Sequence, residues 1–338
     1  RRRETNGVRR GQSQLREAFP VMRPTCIMGM DIGGTNVRAG LVDKENTLYD
    51  FRIINTQALR TGKDGEGFVE NLADRIEAFL EAHRADFEIA GVSVGLPSTI
   101  DKTRRVVLST PNIEGLNNIP IADILEKRLN LPVYINRDVN MLFYRDLNQF
   151  HIGNGCVALG CYIGTGFGNA IYVNGDILLG KNGVAGELGH IPMVGRRGCC
   201  GCGNEACIEI LASGRYLEEL VATRFPDVEI SKVFTQYADH PLIREYIEYL
   251  SIPIATEINI FDPDYIVLGG GILQMEAFPV AELEANIYRH SRKPYPADGL
   301  MILYSEAAQE NGVIGAGIYG FAAREKANKN SAIQQKRA

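Results

Sequence analysis

The sequence has no apolar run approaching the roughly 20 residues that a membrane-spanning helix requires. Its first 23 residues, RRRETNGVRRGQSQLREAFPVMR, lack the continuous apolar core of a secretion signal. With no such signal, seven cysteines point to a reducing compartment and against a disulfide framework. No stretch matches G-x-x-x-x-G-K-[ST], which excludes a P-loop enzyme. Charge of one sign is also scarce: 36 lysines and arginines against 41 acidic residues give a formal net charge of -5. Seven arginines against two glutamates fall within residues 1–23, so the rest is more acidic than the total suggests, which speaks against general nucleic-acid binding. From these absences the chain is expected to be cytoplasmic, with neither membrane nor nucleic acid as partner.

What remains is ordinary for a globular protein of 338 residues, 45% apolar and 23% charged, long enough for two domains with substantial cores. Residues 1–23 are expected to be a disordered basic extension. Cys26–Val42, CIMGMDIGGTNVRAGLV, has the form strand, glycine turn, strand, and Cys156–Val173, CVALGCYIGTGFGNAIYV, repeats it. The recurrence implies a duplicated architecture, each half supplying one phosphate-facing turn. Cys26, Cys156 and Cys161 are placed in apolar strands. Between the two hairpins the spacing predicts a helix over Phe68–Leu80, a buried strand over Ile89–Gly95 and a short helix over Ile121–Leu129. Further on it predicts a long helix over Leu242–Phe261 despite Pro253, then a strand over Tyr265–Leu268 that ends in Gly269-Gly270-Gly271. The last element, Gly312–Ala327, carries glycines at 312, 315, 317 and 320, expected to serve close packing against a neighbour or a nucleotide. The domain reading is α/β: a small lobe of residues 24–137 plus 309–330, and a large lobe of residues 138–308 holding a zinc-binding loop.

Phosphoryl transfer asks for donors around the phosphates, a metal-associated carboxylate and a base beside the accepting hydroxyl. Asp31 stands at a strand end before Gly33, Gly34, Thr35 and Asn36, a turn whose backbone N–H groups and Thr35 hydroxyl can reach phosphate oxygens, with Asp31 holding Mg²⁺ through water. Alone, such a turn is as often only a turn. The second, Gly164, Thr165, Gly166 and Gly168, fails the dinucleotide fingerprint because its spacing is wrong and strand follows it rather than helix. Gly269, Gly270 and Gly271 offer a third site free of side chains, suited to adenine and ribose. His190, Cys200, Cys202 and Cys207 lie in one glycine-rich stretch and match a closed Cys₃His zinc site. A Cys199-x-x-Cys202 redox pair, or thiols that are merely buried, are the other readings.

DIGGTN at 31–36, the GTGFG turn, GVAGELGHIP at 183–192, C-x-C-G-x-x-x-C-x-E at 200–209 and DPDYIVLGGG, in this order, resemble the ROK family of sugar kinases and related repressors, over nearly all of Cys26–Ala327. The resemblance implies a two-lobed actin/hexokinase-like ATPase fold with ribonuclease H-like duplicated domains, closing over a hexose and ATP, in chains that often form homodimers. It implies that Asp138 takes the proton of the attacking hydroxyl, against the plainer reading of a helix cap. It implies that Glu187 and Glu209 grip sugar hydroxyls, that His190 serves both zinc and sugar, and that Asn112 is a further sugar contact. The zinc would then act indirectly, by holding the loop that presents the two glutamates. Arg137 stands where most of the family has Asn, and Pro97-Ser98 where the sugar loop reads Pro-Gly, so Arg137 is expected to reshape the contacts beside the base. Arg-Asp-Val-Asn at 137–140, with GVAGELGHIP and the match through Asn259–Asp264, looks most like the family's allose kinases, which implies D-allose to D-allose 6-phosphate, with glucose, fructose and N-acetylmannosamine as alternatives. A sugar-sensing repressor would need a helix-turn-helix ahead of the body, and a short apolar-poor extension does not supply one.

Overall fold

The computed structural model describes residues 23–60, 65–110, 113 and 115–335. Residues 1–22 of the basic extension and Asn112 lie outside the described residues. β1 (Thr25–Ile32) is buried almost throughout, as befits a central strand covered on both faces. It pairs antiparallel with β2 (Asn36–Asp43), and β2 with β3 (Leu48–Asn55). After α1 (Gly65–His83) come β4 (Glu88–Leu96), the small hairpin of β5 (Thr99–Ile100) and β6 (Val107–Ser109), α2 (Ile121–Leu129) and β7 (Val133–Arg137). β4 and β7 join β1 in parallel, giving the order β3-β2-β1-β4-β7. α1 and α2 cover one face, burying Leu72, Ile76 and Leu125 in the same core as Met28 and Met30.

α3 (Asp138–Gln149) starts where β7 ends and leads into a second sheet. β8 (Ala158–Ile163), β9 (Phe167–Val173) and β10 (Asp176–Ile177) are followed by α4 (Gly214–Arg224), α5 (Val233–Tyr237), α6 (Pro241–Phe261), β11 (Tyr265–Gly269), α7 (Val280–His290) and β12 (Met301–Tyr304). The order is β10-β9-β8-β11-β12, again with two antiparallel neighbours on one side of the central strand and two parallel ones on the other. The repeated strand, glycine turn, strand pattern thus extends to whole sheets.

α8 (Asn311–Gln335) returns to the first sheet. Its glycines permit contacts that no side chain would allow. A Cβ on Gly317 would stand 2.4 Å from Val42 Cβ, and one on Gly315 would stand 1.9 Å from the Met141 carbonyl oxygen of α3. Close packing, one of the two expectations for these glycines, is what the structure shows. The helix runs on past Ala327 because residues 325–332 are exposed and carry no apolar period that the sequence pattern could register. Cys156, expected inside a strand, precedes β8 and donates its N–H to Gly153 O at 3.2 Å in a turn. All seven cysteines are free. No helix among the described residues is long and apolar enough to cross a membrane.

Candidate active site

The central strand of the first sheet and the corner between β7 and α3 each deliver one carboxylate. Asp31 is the penultimate residue of β1, and its cross-strand partner in the hairpin register is Arg38. Arg38 Nη1 reaches Asp31 Oδ2 at 3.4 Å. Burial pushes the Asp31 carboxyl above the usual range, and the Arg38 charge pulls it part of the way back. Gly312 allows the start of α8 to lie against this carboxylate, since a Cβ there would be 2.7 Å from Asp31 Cγ. A helix N-terminus favours negative charge at that spot.

Buried Asn136 stitches the corner of β7 and α3 together, its Oδ1 accepting from Arg137 N–H at 2.9 Å and Asn140 Nδ2 at 2.9 Å. Arg137 occupies the helix-cap position without a capping side-chain bond, and Asp138 is the first helical residue. Asp138 Oδ1 accepts from Val139 N–H at 2.8 Å. The cap that the plainer reading assigned to Asp138 is therefore held by Arg137. Gly95 on β4 leaves room for the corner, 3.6 Å separating a Cβ there from Asp138 Cα. Burial lifts the Asp138 carboxyl to about 6, and the negative charge of Asp31 adds to the rise. The two carboxylates share one field.

In the first glycine turn Gly33 N–H donates to Asn36 O at 2.8 Å, while Thr56 Oγ1 donates to Gly33 O at 2.7 Å and Thr56 N–H to Thr35 O at 2.8 Å. This corrects one expectation: the Gly33 N–H closes the turn, and Asn36 already belongs to β2. Gly34 and Thr35 form the exposed tip. The second turn is clamped from both sides. Gly164 O accepts from Gly214 N–H at 2.8 Å and Thr165 O from Arg215 N–H at 3.2 Å, both at the start of α4, and Phe167 N–H donates to Glu209 Oε2 at 2.9 Å. Gly166 makes room for Glu209, since a Cβ there would lie 2.6 Å from Oε2. Gly168 sets this turn beside α3, 3.1 Å separating a Cβ there from Val139 Cγ2. The third corner leans on the end of β8: Gly270 has φ +95° and a Cβ there would be 2.3 Å from Ile163 O. The second and third corners therefore adjoin each other and the helix that carries Asp138.

Arg137 Nη2 lies 3.0 Å from Glu187 Oε1, and its Nη1 donates to Ala185 O at 3.0 Å. Glu187 Oε2 is 3.6 Å from His190 Nε2, and the other ring nitrogen, Nδ1, is 3.6 Å from Cys200 Sγ. Cys202 and Cys207 sulfurs are 3.6 Å apart, and the ligand atoms of His190, Cys200, Cys202 and Cys207 all lie within 4.8 Å of one another. A tetrahedral zinc site with Zn–S of about 2.3 Å has S–S edges of roughly 3.8 Å, so donor set and spacing both fit zinc. Cys199 stays outside the cluster and is exposed. Asn112 lies outside the described residues. Sequence reasoning missed Arg38 and Gly95 as parts of the site; the hairpin register would have found Arg38, which sits opposite Asp31.

Two sheets of one strand order, with glycine corners and paired carboxylates between them, define the class: an actin/hexokinase-like α/β kinase fold. Residues 27–320 match the ROK family, and the chain belongs to it. The glucokinase of Halalkalibacterium halodurans is 27% identical over 316 residues, covering 86% of this chain and 93% of that one. The N-acetyl-D-glucosamine kinase of Haemophilus influenzae is 30% identical over 291 residues, covering 79% and 91%. A ROK family glucokinase from Streptomyces griseus, solved in complex with glucose and AMPPNP, superposes with a TM-score of 0.69 at 26% identity, covering 86% of this chain and 98% of that one. The chain is an enzyme of the sugar kinase class.

Proposed function

We propose that the chain transfers the γ-phosphoryl group of ATP to the 6-hydroxyl of a hexose, with Asp138 as the base. The observation that carries this reading is the Asp138 carboxyl at the start of α3, lifted to about 6 by burial and by the charge of Asp31, beside a glycine turn. A carboxyl lifted to about 6 is mostly ionised at neutral pH and basic enough to take the proton as the hydroxyl attacks. Gly34 and Thr35 at one tip and Gly164 to Gly168 at the other are the backbone that faces the phosphates, with Gly269 to Gly271 beside the adenosine. Asp31 would hold Mg²⁺ through water, and that ion would neutralise charge on the transferring group. Glu187, Glu209, His190 and Asn112 are read as the sugar contacts, and zinc at His190, Cys200, Cys202 and Cys207 as the brace of their loop. Residues 24–137 with 309–330 form one lobe in this reading and residues 138–308 the other, closing to exclude water.

Among hexoses we read D-allose as the preferred acceptor. Its support is Arg137, a guanidinium in place of an amide, tied to Glu187 and so beside the sugar hydroxyls nearest the base. Allose differs from glucose by one inverted hydroxyl, at C3. Measuring kcat/KM on allose, glucose, fructose, N-acetylmannosamine and N-acetylglucosamine decides it. Allose is expected to rank first; glucose well above allose defeats the substrate claim, and no ATP-dependent turnover of any hexose defeats the kinase reading.

A further inference from the structure

A cavity of about 810 Å³ is lined by residues of β7, α3, α8 and the segment that follows β9. β7 delivers Arg137 at one end and lines this cavity with Val133 and Tyr134 at the other; β9 runs from the glycine turn to Asn174 and Gly175 on its wall. Asn136, which stitches the corner of β7 and α3, also lines it, whereas Asp31, Arg137, Asp138 and Glu187 do not.

Arg104, in the loop between β5 and β6, is on that lining and only 9% exposed. Its Nε is buried without a hydrogen-bond partner, and its Nη1 makes one long bond, 3.4 Å, to Ile100 O. Among the described residues no carboxylate is within ion-pair distance of it. Asp101 is committed to the N–H groups of Thr103, Arg105 and Val106, and the adjacent Arg105 pairs with Asp123 and Glu126 of α2. The backbone at Arg104 is left-handed, φ +58°. A buried cation without an anion is unfavourable, and a left-handed residue with a Cβ adds strain; such outliers persist where the surrounding structure imposes them. Tyr144 and Tyr319 are on the same lining, their rings 5.3 Å apart, with Tyr144 Oη donating to Asp176 at 3.0 Å.

From the Arg104 guanidinium without an anion and these two tyrosines on the same lining, we propose that the cavity is a second ligand site, taking a phosphate monoester on a ring-sized body. The guanidinium takes the phosphate in its two-pronged geometry, and the tyrosine faces take the ring. A sugar phosphate and a nucleoside monophosphate share this chemistry.

The test is a calorimetric titration of the full chain, first saturated with hexose and a non-hydrolysable ATP analogue, with hexose 6-phosphate, a nucleoside monophosphate and inorganic phosphate. One monoester is expected to bind more tightly than inorganic phosphate, and the better ester names the source. Arg104→Gln should weaken it roughly tenfold to a hundredfold. Ala323→Phe, which adds bulk to the α8 part of the lining and leaves the arginine in place, should weaken it likewise. The melting temperature of Arg104→Gln should not fall, because the cation removed has no partner. Absence of ester binding to the wild type, equal affinity in wild type and Arg104→Gln, or a marked loss of stability in Arg104→Gln overturns the proposal. Failure of the kinase reading would show instead in the first step, as no uptake of hexose or nucleotide.

Discussion

Asp138 illustrates how far burial and a neighbouring charge can move a single side chain. Its carboxyl is lifted to about 6, by loss of water first and by Asp31 second. Protonated, it cannot accept the hydroxyl proton, so kcat/KM should fall about tenfold per pH unit below 6 and level off above it; a profile flat down to pH 4.5 removes Asp138 from its role. Asp138→Asn should lower kcat by roughly 10²–10⁴ and keep hexose affinity. Stability has the opposite pH sign. Because the folded carboxyl binds its proton more tightly than an unfolded one, its contribution is present at low pH and lost as pH rises through about 6. Asp138→Asn should therefore melt at or above the wild-type temperature at pH 8, and a clear drop there would show the ionised carboxylate to be structural. Burial lifts Glu257 of α6 further, to about 8, although Asn169 Nδ2 donates to it at 2.8 Å.

The elements carry predictions of their own. α3 and α8 touch through Gly315, whose added Cβ would overlap the Met141 carbonyl, and backbone cannot swing aside as a side chain can. Gly315→Ala should cost about 1–3 kcal/mol in denaturant unfolding and lower kcat, because α3 carries Asp138. An unchanged midpoint would mean that the two helices part freely. In the cysteine loop, Cys202→Ser should abolish zinc in a metal analysis and raise KM for hexose, since the loop bearing Glu187 would lose its brace; a wild-type protein without zinc undoes that reading. The sequence made some elements plain. α2 was legible to the residue, and α6 was marked by Asp262, which ends it in the left-handed region at φ +46°. β3 was not legible, because exposed and half-buried side chains alternate irregularly along it and leave no apolar period. α3 was hidden because it starts immediately after a strand, with an arginine where a capping side chain would have signalled it.

For the whole molecule, the recurrence of one glycine hairpin was enough to expect two alike halves, and the sheets agree strand for strand. How the halves meet was not written in any local pattern. The approach of Asp138 to Asp31 depends on β4 and β7 adding in parallel beside β1, a long-range pairing that periodicity does not encode, and only the family resemblance singled out Asp138. Arg104 gave no signal at all, since nothing in DKTRR sets a buried arginine apart from a solvated one. If the halves close over substrate, small-angle scattering should show a smaller radius of gyration with hexose and an ATP analogue together than with neither; an unchanged radius would assign catalysis to a rigid cleft.

The glycine-lined seat of α8 also bears on how the polypeptide is made. The face of the first sheet that includes Gly29, Gly40 and Val42 receives its cover from residues 313–317, which are translated long after the strands themselves. On the ribosome, the first sheet must wait, with one side bare, until residues 313–317 have emerged.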